Sequence, residues 1–215
     1  MEALDPGRTA ALIVDMQWPY FQDGSPLILD GAADLVARTA AFTDDLRAAG
    51  VKILYTATLI RPGTPVGRTT KGFPFKEQNR DTWSNLAPGI EPATDDVVIH
   101  KPRHSAFFGT DLDTVLRSMG VQNVVVTGVT SNVCCYATAL DAAARDYTVY
   151  WVHDLIAALP ISRPGFEIDA ETAHHNTSAM VAYSVGTVCT AAEALAALRC
   201  AEPELLVAGV GFEPT

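Results

Sequence analysis

Val124–Tyr147 reads V-V-V-T-G-V-T-S-N-V-C-C-Y-A-T-A-L-D-A-A-A-R-D-Y. The β-branched run Val124–Val126 ends in a Thr-Gly turn, and an alanine-rich segment without proline follows. That order spells a buried strand, a tight loop and a helix. Ser131 or Asn132 is placed to cap the helix, which puts Cys134 in its first turn. Backbone N–H groups there lack intrahelical partners, and the helix dipole favours negative charge. A thiol so placed is expected to lose its proton more easily than a free cysteine, which makes Cys134 a candidate nucleophile. The plain alternative is a small buried apolar residue, the usual fate of a cysteine near a helix start.

Outward from this segment the chain alternates strands and helices. Thr9–Val14 (T-A-A-L-I-V) is a near-continuous apolar run, as in a parallel strand covered on both faces, and it ends in Asp15-Met16-Gln17. A loop of aromatics and turn formers follows, W-P-Y-F and then D-G-S-P. Ala32–Ala49 is predicted helical, with Leu35, Phe42, Leu46 and Ala49 on one face and Gly50 as its stop. Val51–Ala57 is the second strand. Ile60–Ile90 is long, irregular and broken by Gly and Pro, the kind of loop that serves as a lid or an interface arm. Val97–His100 is a third short strand running into Lys101-Pro102-Arg103-His104, and Asp111–Met119 is a helix stopped by Gly120. Beyond the central segment, Tyr147–Val152 reads as a strand ending in His153-Asp154, Ala170–Tyr183 as a helix, Gly186–Cys189 as a short last strand and Ala191–Leu198 as a helix. One domain over residues 1–199 is expected, with a tail over 200–215 that has no helix or strand pattern.

Composition narrows the function class. A chain of 215 residues, 48% of them hydrophobic, can bury a full core in one domain. The net charge of −10 and the lack of a basic stripe oppose nucleic-acid binding. No apolar run approaches the ~18 residues needed to span a bilayer, so no membrane association is expected. The start, MEALDPGRTAALIVDMQ, lacks the basic and long apolar regions of a signal peptide. Four cysteines, two adjacent, make no disulfide framework in a chain this long and suit a reducing cytosol. A cytoplasmic protein acting on a small molecule, as a homo-oligomer (dimer or tetramer), is the expectation.

The alternation argues for the α/β class, a parallel sheet with helices on both faces and right-handed crossovers. In such sheets the ligand site lies beyond the carboxyl ends of the strands. Asp15 ends the first strand, Lys101 ends the third, and Cys134 follows the fourth by a short turn. Alone, Asp15 is a turn or cap residue and Lys101 a solvated strand-end charge. Delivered to one edge, the three become a candidate site.

These pieces together resemble the isochorismatase-like cysteine hydrolases: A-L-I-V-D-M-Q at the first strand, H-K-P-R-H-S-A-F-F-G-T-D-L at the third and G-V-T-S-N-V-C-C-Y-A-T-A-L-D-A at the central turn. The resemblance runs from about Thr9 to Leu198. It implies a three-layer, Rossmann-like α-β-α fold around a six-stranded parallel sheet, a catalytic triad of Asp15, Lys101 and Cys134, and a cis peptide between Val129 and Thr130. Cys134 is the match because the motif's cysteine follows Asn-Val; Cys135 lies ~100° further round a helix and should face another way. The implied chemistry is hydrolysis of a C–N bond. The sulfur attacks an amide-like carbonyl, and water later cleaves the covalent intermediate. Lys101 favours the thiolate, Asp15 moves the proton, and the backbone N–H groups of Thr130 and Cys134 hold the oxyanion. Tyr20 and His104 are implied to line the pocket, with Trp18, Phe107 and Asn132 as further candidates.

Departures within the family sharpen the reading. The nicotinamidase branch carries Asp and His metal ligands after the second strand; here that position reads Y-T-A-T-L-I-R, so no metal and no other cofactor is expected. His100, His104, His153, His174 and His175 form no familiar ligand spacing. Some vinyl-ether-cleaving members lack the cysteine, which is present here. The piece K-P-R-H-S-A-F-F is similar to members acting on ureido, carbamoyl or biuret-type substrates. The alternatives are a vinyl-ether hydrolase, a catalytically silent binding or scaffold member, and a thiol sensor using Cys134-Cys135. Adjacent cysteines close only a strained ring, and the chain has no Cys-x-x-Cys, which counts against the last.

Overall fold

All six side chains of β1 (Thr9–Val14) are buried, so the strand sits at the centre of its sheet with a layer on each face. The computed structural model describes residues 2–59 and 80–199. Residues 60–79 of the long irregular stretch, and the tail 200–215, lie outside the described residues. After β1 come α1 (Ala32–Ala48), β2 (Lys52–Thr58), α2 (Arg80–Ser84), β3 (Val97–Lys101), α3 (Leu112–Ser118) and β4 (Asn123–Val129). A π-type turn over Ser131–Cys135 leads into α4 (Tyr136–Ala143), followed by β5 (Thr148–Ala157). A small antiparallel hairpin, β6 (Ile161–Arg163) and β7 (Phe166–Ile168), precedes α5 (Ala170–Ser184), β8 (Thr187–Cys189) and α6 (Ala191–Arg199).

Six strands form one sheet in the order β3-β2-β1-β4-β5-β8, every pair parallel. The period-2 alternation of the strands feeds two cores. Ala11 and Ile13 pack with Leu35, Phe42 and Leu46 of α1 and Ala194 of α6. Ala10, Leu12 and Val14 pack on the other face with Leu112 and Leu116 of α3, Ala139 and Ala142 of α4 and Val181 of α5. This is the expected three-layer α-β-α arrangement. The chain leaves β1 towards β2 on one side and returns to β4 on the other, so the topological switch point lies between β1 and β4. In open α/β sheets ligands bind at this point, beyond the strand ends.

Two local devices shape that point. Gly128, at φ +111°, lies against β1 so tightly that a Cβ would stand 2.1 Å from the Val14 carbonyl oxygen. Only a residue without a side chain lets β4 approach here. β5 pairs Trp151 with Val126 and Ile156 with Gly128, so it carries extra residues between those two points. That irregularity is why β5 continues past the predicted end at His153-Asp154 to Ala157. Asp154, within the bulge, accepts the Ala191 N–H at 2.8 Å and so helps hold the start of α6. The predicted capping of the cysteine helix does not occur. Neither Ser131 nor Asn132 caps it, and the buried Ser131 Oγ and Asn132 Oδ1 have no hydrogen-bond partner. The wider π-type turn takes the place of a capped first turn: the Thr130 carbonyl accepts the N–H of Cys135, five residues on, and that of Val133, each at 3.2 Å.

Candidate active site

The sheet register assembles the site. β2 pairs with β1 so that Thr56 lies beside Val14, and with β3 so that Thr58 lies beside Lys101. Thr56 and Thr58 share the face of β2 that carries Leu54, the face covered by the cysteine helix. Asp15 follows β1 with φ +47°, a left-handed backbone that a non-glycine residue seldom adopts. Its N–H donates to the Thr56 carbonyl at 3.1 Å and Thr56 Oγ1 at 3.2 Å, which fixes the turn.

Asp15 and Lys101 form a buried ion pair, Nζ to Oδ2 2.7 Å, at 1% and 0% exposure. Burying two charges is costly unless the remaining hydrogen-bond positions are filled. Here they are. Lys101 Nζ also donates to Thr58 Oγ1 and to the Arg103 carbonyl, each at 3.0 Å. Thr56 Oγ1 donates to Asp15 Oδ1 at 2.7 Å and Thr58 Oγ1 to Oδ2 at 3.1 Å. Gln17, itself buried, holds the end of β2. It accepts the Thr58 N–H at 2.8 Å and donates to the carbonyls of Thr58 and Trp83 at 3.2 and 2.8 Å.

Cys134 stands over this pair, buried, with its Sγ 3.9 Å from His104 Nδ1. The expected easy loss of the thiol proton is not what the site produces. Burial pushes the Cys134 thiol up to about 12, outweighing the Lys101 charge, and the Asp15 carboxylate adds to the rise. A helix start lowers a thiol's pKa where water can also reach it; this thiol is enclosed. Burial and the Lys101 charge hold His104 below the usual histidine value, so at neutral pH its imidazole is uncharged. Cys135 is buried too and points elsewhere, its Sγ 4.0 Å from the Thr127 carbonyl. The Val129–Thr130 peptide is cis.

The remaining candidates divide. Tyr20 lies within the field of the site: burial, then the Cys134 and Asp15 charges, hold its phenol proton above the usual value. Trp18 is half-buried in the turn Trp18–Tyr20, its N–H donating to the Asn85 carbonyl at 3.0 Å. Asn132 is half-buried with its Oδ1 unpartnered. Phe107 is buried. Its ring packs on Tyr147, centroids 6.0 Å apart, with the Arg145 guanidinium 4.9 Å over it. Tyr147 directly precedes β5, and Phe107 belongs to the same buried cluster as Cys134. Reading the sequence missed Thr56, Thr58 and Gln17. Two threonines at i and i+2 look like ordinary strand formers; the signal was their position at the carboxyl end of a strand beside the one ending in Asp15.

Residues 9–193 match the profile of the Isochorismatase domain. The chain belongs to the isochorismatase family. Among curated relatives it is 30% identical over 168 residues to a ureidoacrylate amidohydrolase, RutB, of Methylobacterium radiotolerans; the match spans 67% of this chain and 65% of that relative's length. Among solved structures, a cysteine hydrolase from Pseudomonas syringae pv. phaseolicola superposes with a TM-score of 0.84 at 30% identity, covering 93% of this chain and 96% of the other. An N-carbamoylsarcosine amidase from Thermoplasma acidophilum superposes with a TM-score of 0.69 at 26% identity, covering 86% and 96%. Isochorismatase-like hydrolases therefore share this chain's fold as well as its family profile.

Proposed function

We propose that the protein is a cysteine hydrolase that cleaves a C–N bond of a small amide, carbamoyl or ureido compound, with Cys134 as nucleophile and Asp15 and Lys101 as its partners. The observation that carries this reading is the buried Asp15–Lys101 pair beneath the Cys134 thiol. Relatives named for ureidoacrylate and N-carbamoylsarcosine support the substrate class.

With the thiol held near 12, the resting group is S–H, and attack is coupled to proton transfer. The thiol proton passes to Asp15 while Sγ bonds to the carbonyl carbon. Lys101 offsets the negative charge carried by sulfur and carboxylate in turn. The carbonyl oxygen, now anionic, is held by the backbone N–H groups of Thr130 and Cys134. Asp15 returns the proton to the departing nitrogen as the C–N bond breaks, leaving a thioester-type intermediate. Asp15 then takes a proton from water as the hydroxide adds to the same carbon, and the C–S bond breaks as Asp15 passes that proton to sulfur, which restores both the thiol and the carboxylate. His104, uncharged and beside Sγ, and Tyr20 line the pocket on this reading. The free thiols of Cys134, Cys135 and Cys189 suit a reducing cytoplasm. Exposed Leu140 on α4 with Met180 and Tyr183 on α5 supports assembly as a homo-oligomer.

The test is ammonia or amine release from a panel of amides, carbamoyl amino acids and ureas. Cys134→Ser is expected to abolish release, because a serine hydroxyl is far less acidic and Asp15 is a weak base for it, while Cys135→Ser retains most of it. Loss in Cys135→Ser with retention in Cys134→Ser would reassign the nucleophile.

A further inference from the structure

The hydrogen bonds around Asp15 can be assigned a direction, and the assignment leaves a single opening. Lys101 is an ammonium with three protons and no acceptor, and it has three acceptors within 3.0 Å: Asp15 Oδ2, Thr58 Oγ1 and the Arg103 carbonyl. Thr58 Oγ1 must therefore accept from Lys101, and its own proton goes to Asp15 Oδ2. Thr56 Oγ1 accepts the Asp15 N–H, so its proton goes to Asp15 Oδ1. A carboxylate offers about four lone-pair positions, two on each oxygen. Oδ2 then takes two donors, Lys101 and Thr58, while Oδ1 takes one, Thr56.

We propose that Thr56 and Thr58 are positioning residues that saturate Oδ2 and leave one open position on Oδ1, so that Oδ1 is the atom that exchanges protons with Cys134, the leaving nitrogen and water. The S–H bond breaks towards Oδ1 as the S–C bond forms, and the same proton leaves Oδ1 for the nitrogen as the C–N bond breaks. Gln17 serves the arrangement one step back. Its amide grips both the N–H and the carbonyl of Thr58, which fixes where that hydroxyl stands. The proposal rests on the Asp15–Cys134 reading above.

Thr56→Val and Thr58→Val keep the shape of the side chain and remove the hydroxyl; Thr56→Ser and Thr58→Ser keep the hydroxyl. Hydrogen bonds to charged groups are of a strength that predicts a roughly ten- to hundredfold fall in kcat for each valine variant. KM should stay within about twofold, because the contact is not made to substrate. The serine variants should recover most of kcat. Packing alone would give the reverse order, since valine is the better strand former and the closer match in volume. Valine variants with full kcat, serine variants no better than valine, or a loss carried by KM would each overturn the proposal. Where a valine variant does not fold, alanine against serine at that position gives the same contrast, and equal activity of the two overturns it. Asp15→Asn and Cys134→Ser run in parallel separate the two levels. If both retain turnover, the catalytic reading itself fails; if both lose it while the valine variants keep it, only the role of the threonines fails.

Discussion

At Cys134 three effects compete, and burial wins. Enclosure raises the thiol, Lys101 lowers it and Asp15 raises it further, in that order of size. Alkylation by iodoacetamide in the free protein is therefore expected to be slow at neutral pH and to accelerate only well above the ordinary thiol value of 9.0. An inflection below that value would mean that Lys101 and the helix start outweigh burial. The two partners should act in opposite directions. Lys101→Ala removes the lowering charge and slows labelling; Asp15→Asn removes a raising one and labels as fast or faster, yet loses turnover because no group remains to carry the proton. Faster labelling in Lys101→Ala than in Asp15→Asn would reverse the roles. Lys101→Ala also leaves Asp15 buried without its cation, a loss of about 3–5 kcal/mol that a urea titration measures.

Between β4 and β1 the backbones meet tightly, because Gly128 admits the Val14 carbonyl where any Cβ would collide. Gly128→Ala must separate the two strands at the point where Asp15 and the Cys134 turn begin. It should fold poorly or melt many degrees lower, with any folded fraction inactive; a folded, active variant would show that this contact can relax. The loop after Lys101 is tied to the helix after Cys134 as well, through Ala106 N–H to Thr138 Oγ1 at 3.0 Å and Ser105 Oγ to Asp141 Oδ2 at 2.5 Å. Two elements more than thirty residues apart in the chain thus hold lysine and cysteine in one frame.

For the whole molecule, buried thiols set an alkaline limit. Cys134 and Cys189 are both raised by burial from 9.0 to about 12. Between those values the unfolded chain has released protons that the folded chain still holds, so stability is full below about 9 and falls as pH rises towards 12. Thermal melts across that window should show a steady fall that Cys189→Ala reduces; a flat profile would contradict it. A separate expectation follows from the donor set. At the end of β2 the chain places Thr56 and Thr58 on Asp15 rather than an Asp/His pair, so turnover should survive prolonged EDTA treatment. Activity lost in EDTA and restored by zinc would sink that expectation.

Much of this was written into local sequence. β1 was legible to the residue because a strand buried on both faces must be apolar throughout, and α1 because Leu35, Phe42 and Leu46 recur at helical spacing before a glycine stop. The three motif residues were legible because strand ends converge in a parallel sheet. The bulge in β5, the hairpin β6–β7 and the uncapped π-type turn were not, since each is set by neighbours distant in the chain. Tertiary structure alone decided that Phe107 packs on Tyr147, that two unremarked threonines orient Asp15, and that Cys134 keeps its proton. Residue type and spacing bring charges to one edge of a sheet. Their protonation depends on how much water is excluded around them, and only the folded chain sets that.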